Sequence, residues 1–153
     1  MSVHSFEKKY VLQCTLAEAW AFFCSPQNLK LITPDEMGFD IVGEAPKKMY
    51  PGLLIRYIVK PLFNIPMTWV TEITHVQEPA FFVDEQRVGP YSMWHHQHHF
   101  TETPEGILMH DIVTYILPFG FLGDLGHPLV KKKLNRIFDY RTAKIEQLFG
   151  TKK

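Results

Sequence analysis

Residues 91–117 read YSMWHHQHHFTETPEGILMHDIVTYIL, two extended runs joined by the turn Thr103-Pro104-Glu105-Gly106. Side chains alternate across a strand, so Trp94, His96, His98 and Phe100 share one face, and Met93, His95, Gln97 and His99 share the other. Two large aromatics bracket the first set, which marks it as the packed face. Hairpin loop length fixes which residues oppose each other. With Thr103 opposite Gly106, Phe100 meets Met109, His98 meets Asp111, His96 meets Val113 and Trp94 meets Tyr115. Opposed residues have Cβ atoms about 4.5–5.5 Å apart, so a hydrogen bond between His98 and Asp111 is expected. A slip of one residue would send Asp111 to the other face.

The turn before this hairpin, Gly89-Pro90, leaves two arrangements open. A strict two-residue loop places Phe81, Val83, Glu85 and Arg87 on the inner face; a bulge or a longer loop places Phe82, Asp84 and Gln86 there, which is the favoured arrangement. Upstream, glycine and proline break the chain into further extended segments at 37–45, 52–60, 66–77 and 80–88, the pattern of an antiparallel meander. Residues 4–14 alternate as a first strand. Thr15 with Glu18 forms a capping box for a short helix carrying Leu16, Ala19, Trp20 and Phe23, and Ser25-Pro26 opens a second helical stretch to Leu31.

At the other end, residues 128–149 predict a long amphipathic helix with Val130, Leu134, Ile137, Phe138, Ile145, Leu148 and Phe149 on its apolar stripe. Arg141 falls inside that stripe, either snorkelling at its edge or facing a cavity. The stretch PFGFLGDLGH (118–127) reads as a loop, or as a lid at a cavity mouth. The layout is α+β: a curved antiparallel sheet of six to seven strands around a long C-terminal helix, with two short helices after the first strand. The 153 residues, 46% of them hydrophobic, suit one domain spanning 1–153.

Sixteen basic and sixteen acidic residues cancel, so no field for nucleic acid is expected. No run has the length of a membrane span and the N-terminus lacks a signal-peptide pattern, so no membrane insertion and a cytoplasmic setting are expected. Cys14 and Cys24 flank a helix that holds them about 15 Å apart, too far for a disulfide. Cys24 reads as an inert thiol.

The segments YPGLLIRYIVKPLFNIPMTWVTEI, DEQRVGPYSMWHHQHHF and MHDIVTYILPFGFLG, with LNRIFDYR after them, resemble the SRPBCC superfamily of START-type and birch-pollen-allergen-like ligand-binding proteins. The carriers of the resemblance are W-x-H-x-H-x-F (Trp94, His96, His98, Phe100) and D-x-V-x-Y (Asp111, Val113, Tyr115). It implies the helix-grip fold, a polyketide cyclase-like subfamily, and a cavity between sheet and helix. It implies no particular reaction.

Three chemistries suit the inward residues. The leading one is binding of a small hydrophobic or amphipathic molecule, such as a fatty acid, isoprenoid or aromatic polyketide. Trp94, His96, His98, Phe100, Met109, Asp111, Val113, Tyr115, Asp84, Gln86 and Arg141 would surround it, with no cofactor. The second is a cyclase or isomerase in which Asp111 orients His98 for proton transfer and Tyr115 donates to a developing enolate. The third is a metal held by His96, His98 and Asp111, the composition of a two-histidine, one-carboxylate site.

Overall fold

The computed structural model describes residues 1–61 and 63–150. Leu62 and residues 151–153, which the single-domain expectation includes, lie outside them. Strand β1 (Val3–Leu12) is followed by α1 (Leu16–Phe23) and α2 (Pro26–Leu29), then by strands β2 (Gly38–Ile41), β3 (Leu54–Val59), β4 (Met67–Gln77), β5 (Phe81–Val88), β6 (Met93–Thr103) and β7 (Gly106–Ile116), and by α3 (Phe121–Leu125) and α4 (His127–Phe149). The seven strands form one antiparallel sheet in the order β1-β7-β6-β5-β4-β3-β2. With α4 laid across its inner face, this is the expected α+β helix-grip arrangement.

Local chemistry sets the boundaries. The Thr15 hydroxyl accepts from the Glu18 backbone N–H at 3.2 Å, and the Thr15 N–H donates to the Glu18 carboxylate at 2.7 Å, closing the capping box of α1. Pro26 opens α2, where its missing N–H is not needed. The segment expected as a strand over 37–45 keeps only Gly38–Ile41. Gly38 and Phe39 both have positive φ, and the pairing with β3 shifts between Gly38 and Asp40, which breaks the ladder.

The 118–127 stretch is not simply a loop: Phe121–Leu125 form α3. Asp124 anchors it to β1, accepting from the Ser2 hydroxyl at 2.9 Å and lying 3.3 Å from His4 Nε2. His4 stacks on His127, with ring centroids 3.7 Å apart.

Helix α4 buries Leu134, Phe138, Arg141 and Ile145, one stripe at helical spacing. Leu148, placed on that stripe by the sequence pattern, is exposed. Arg141 does not snorkel to an exposed edge; it is only 7% exposed. Phe138 packs on Phe6 of β1 at 4.9 Å and Phe149 on Phe22 of α1 at 5.2 Å, which pins the middle and the C-terminal end of the helix. Among the described residues, no helix is long and apolar enough to cross a membrane.

The β6–β7 register is the expected one, with Trp94 opposite Tyr115, His96 opposite Val113, His98 opposite Asp111, Phe100 opposite Met109 and Thr103 opposite Gly106. Gly106 has φ +132°, and a Cβ there would meet the Leu12 carbonyl oxygen at 2.5 Å. A side chain must therefore both strain the turn and push β1 away. Gly106→Ala is expected to cost more than about 1 kcal/mol, read as a lowered urea midpoint with the slope of the transition unchanged.

Candidate functional site: a buried ionic cluster at the wall of an apolar cavity

Three adjacent strands contribute the polar centre. Pairing of β5 with β6 sets Asp84 opposite His96 and Phe82 opposite His98, so the bulged arrangement holds and Asp84 points inward. Glu85 falls on the other face, 2.8 Å from His95 Nδ1. Asp111, from β7, has 0% exposure.

Its carboxylate takes the Tyr10 hydroxyl at 2.8 Å on Oδ2 and His96 Nε2 at 3.0 Å on Oδ1. His98 Nε2 bonds Asp84 Oδ2 at 2.6 Å. The expected hydrogen bond from His98 to Asp111 is not formed: Nδ1 sits 3.1 Å from Asp111 Oδ1 but off the line of an N–H bond, so the two attract as charges only. The two imidazoles stack at 3.8 Å, and Phe82 covers the far face of His98 at 4.1 Å.

Carboxylates accept only, which fixes the protons. Burial would raise Asp111, but the bond from His96 and the attraction of His98 hold it well below the usual carboxylate range. Asp84 is likewise lowered, because its bond to His98 and the charges of His96, His98 and Arg141 outweigh burial. Burial would lower His98, yet Asp111 and Asp84 together raise its pKa to about 9. His96 goes the other way, lowered by burial and by the charge of His98. At neutral pH the cluster therefore holds two carboxylates, a charged His98, and a neutral His96. The Nε2 proton of His96 faces Asp111, and its Nδ1 lone pair is free.

Beside the cluster lies a cavity of about 140 Å³, between the inner face of β3–β6, the short helices after β1, and α4. Its walls include Tyr57, Trp69, Phe82 and Trp94 from the sheet, Phe22 and Phe23 from α1, and Phe138 from α4. Asp84, His96, His98 and Arg141 supply its ionisable groups.

Of the residues expected to surround a ligand, Asp84, Trp94, His96, His98 and Arg141 line this cavity. Phe100, Met109, Asp111, Val113 and Tyr115 do not; they are closed core. Helix α4 seats Phe138 against Phe6 of β1 and His96 of β6, and the void opens on the β3–β6 side. Gln86 is spent on its own turn, donating to the Tyr91 carbonyl at 2.7 Å and accepting from the Tyr91 N–H at 3.1 Å. Tyr115 is turned to His127, 3.0 Å from its Nε2, so the trio His98, Asp111 and Tyr115 is not assembled at the cavity.

The side chains grouped closely enough to share a metal ion are Asp84, His96 and His98, one ligand atom each within 4.8 Å, with Asp84 in the place expected of Asp111. A cation there must displace the proton that joins His98 to Asp84, and Arg141 lines the same cavity. Tyr10, which the sequence reading left out, completes Asp111. Its signal was its inward position on β1, next to Leu12. Cys24 fits an inert thiol, its pKa pushed up to about 12 by burial and by the nearby Glu78.

No family model and no curated protein matches the sequence. Solved structures do match in fold. Protein Ms6760 from Mycobacterium smegmatis is 16% identical, with a TM-score of 0.69, covering 97% of this chain and 96% of that one. Ara h 8.0201 is 16% identical, with a TM-score of 0.64 and coverage of 95% and 99%. The di-domain ARO/CYC BexL from the BE-7585A biosynthetic pathway is 14% identical, with a TM-score of 0.72, covering 99% of this chain and 51% of that one. These likenesses establish the helix-grip fold that the sequence resemblance implied.

Two outcomes follow from the cluster. His98 has its folded pKa raised from 6.5 to about 9, so its stabilisation is complete below pH 6.5 and is lost as pH rises through about 9, by about 3 kcal/mol at most. Depressed His96 has the opposite sign and acts below pH 6.5. Unfolding free energies at pH 6.5 and 9.5 should show the full fall in the wild type and only a smaller one, from the raised Cys24 thiol, in His98→Gln. Asp111→Asn should cost about 3–5 kcal/mol, because it leaves a buried imidazolium facing an amide; Tyr10→Phe, which removes one donor of two, should cost about 1–3 kcal/mol. Chemical denaturation at pH 7 orders the two.

Proposed function

We propose that this chain is a ligand-binding domain, a carrier or sensor that encloses a small apolar molecule and orients it by a polar end. The observation that carries this reading is the asymmetry of the cavity, which is apolar and aromatic over most of its wall and polar where Asp84, His96, His98 and Arg141 converge. Binding sites for small molecules have this composition. A chain selected only for stability would fill such a void, because buried cavities cost stability in proportion to their size. The unpaired thiols Cys14 and Cys24 accord with a reducing, cytoplasmic compartment.

One observation favours a second reading, proton-transfer catalysis by a cyclase or isomerase, with His96 rather than His98 as the base. Asp111 holds the Nε2 proton of His96, which leaves Nδ1 as an acceptor in a residue that lines the cavity. A lowered pKa keeps that nitrogen unprotonated at neutral pH. His98, charged and bracketed by two carboxylates, is spent as a base.

The deciding experiment is native mass spectrometry of gently purified protein. A bound molecule of stoichiometric mass, released by organic denaturant, is expected, together with a change in tryptophan emission on its removal, since Trp69 and Trp94 form the wall. Bare protein in every preparation, with emission unmoved by any small aromatic compound, would sink the reading. His96→Gln separates carrier from enzyme. A carrier keeps its ligand within about tenfold in affinity, while an enzyme keeps binding and loses about two to four orders of magnitude in turnover.

A further inference from the structure

Among the described residues, the guanidinium of Arg141 is the charge in the cavity wall that the fold leaves without a hydrogen-bonded or ion-paired partner. Arg141 is 7% exposed and lines the cavity. Among the described residues it makes no hydrogen bond and no ion pair; its Nε is buried without a partner, and its guanidinium carbon lies 4.7 Å from the centre of the Phe138 ring. Arginine cannot shed its proton inside a protein, and a buried unpaired cation is costly. Neither carboxylate of the cluster bonds it: Asp84 feels its charge only from a distance and is bonded to His98, and Asp111 is turned to Tyr10 and His96.

We infer that Arg141 is the receptor for a carboxylate, and that the ligand of this cavity is an aromatic monocarboxylic acid held head-first by the guanidinium fork. The inference rests on the ligand-binding reading above and names its ligand class. Charge selects a monoanion. Asp84 lines the same cavity, so a phosphate dianion would set two negative charges beside an existing carboxylate, whereas one carboxylate answers one guanidinium in a planar, two-bond match.

The walls select the rest of the molecule. Tyr57, Trp69, Phe82 and Trp94 offer ring faces and edges from the sheet, and Phe22 and Phe23 offer them from α1. Trp69 and Trp94 already meet edge to face at 5.6 Å. A cavity of about 140 Å³ is also close in size to a void of about 150 Å³ that takes one benzene ring. The resting void takes the ring, and the short conjugated arm that carries the carboxylate to Arg141 gains its room where the helices over the cavity lift.

The test uses trans-cinnamate, with methyl cinnamate and cinnamyl alcohol as uncharged counterparts, titrated into the full-length protein by calorimetry at pH 7. Cinnamate should bind about ten- to a hundredfold more tightly than either counterpart, the worth of a charge-assisted pair. In Arg141→Met this preference should vanish while the uncharged compounds bind as before. Arg141→Lys should retain part of it. A structural arginine would behave differently, so the melting temperature of ligand-free Arg141→Met is the second readout: at or above wild type is expected, because the substitution removes an unanswered charge, and a large fall would overturn the inference. Equal affinity for acid and ester would overturn it while leaving the ligand-binding reading intact. Failure of all three compounds to bind, with native mass spectrometry showing no other ligand, would overturn both.

Discussion

Asp111 lies on a central strand with no exposed surface, and an ionised carboxylate can stay there only if donors replace the water it has lost. Tyr10 from β1 and His96 from β6 are those donors, and the charged His98 stands beside them. Each comes from a strand paired to β7 or next to it in register, so the carboxylate is satisfied only when three strands are aligned at once. His98 in turn requires Asp84 from β5. One buried charge thereby recruits residues from four strands, and the order β1-β7-β6-β5 is the order in which those partners stand.

Much of this could be read from the sequence, because strand alternation and turn length are local. The turn at Thr103–Gly106 alone fixed His98 against Asp111 and Trp94 against Tyr115. Asp84 was read with less force, since Gly89-Pro90 is compatible with two loop lengths, and the pairing of Asp84 with His96 chose between them. What the pattern could not supply was depth. Met109 and Val113 share a face with His98, yet they are sealed core, because the position of Phe138 over Phe6 decides where the void lies, and that depends on how a distant helix seats. Rotamers were equally out of reach. Opposed positions bring His98 and Asp111 together, but only side-chain torsions decide that His98 gives its hydrogen bond to Asp84, and His96 gives its own to Asp111.

The helix-grip likenesses, all at 16% identity or below for the structures compared, concern the scaffold. They place a helix over a curved sheet and leave the contents of the space between them to each sequence. Here those contents are unequal. The β7 side is packed solid, and the β3–β6 side is open and aromatic, with an ionised rim shared by β5, β6 and α4. Counted with Asp111 buried behind it, the rim is neutral in sum, two carboxylates against His98 and Arg141, but its parts are not equally engaged. The imidazolium is enclosed by acids, and the guanidinium rests on an aromatic ring.

The ionic cluster spanning β5, β6 and β7 also decides which wall of the cavity can yield. Spreading those strands would expose ions to one another's loss before it widened the void, so the sheet is the stiff side of the chamber. The opposite side, made by α1, α2 and the middle of α4, is held by ring contacts such as Phe22 on Phe149, which can slide at small cost. Any molecule too large for the resting cavity must therefore gain its space by lifting helices from a rigid palm, and the size range of acceptable guests is written in the aromatic contacts of α1 and α4 rather than in the strands that recognise them.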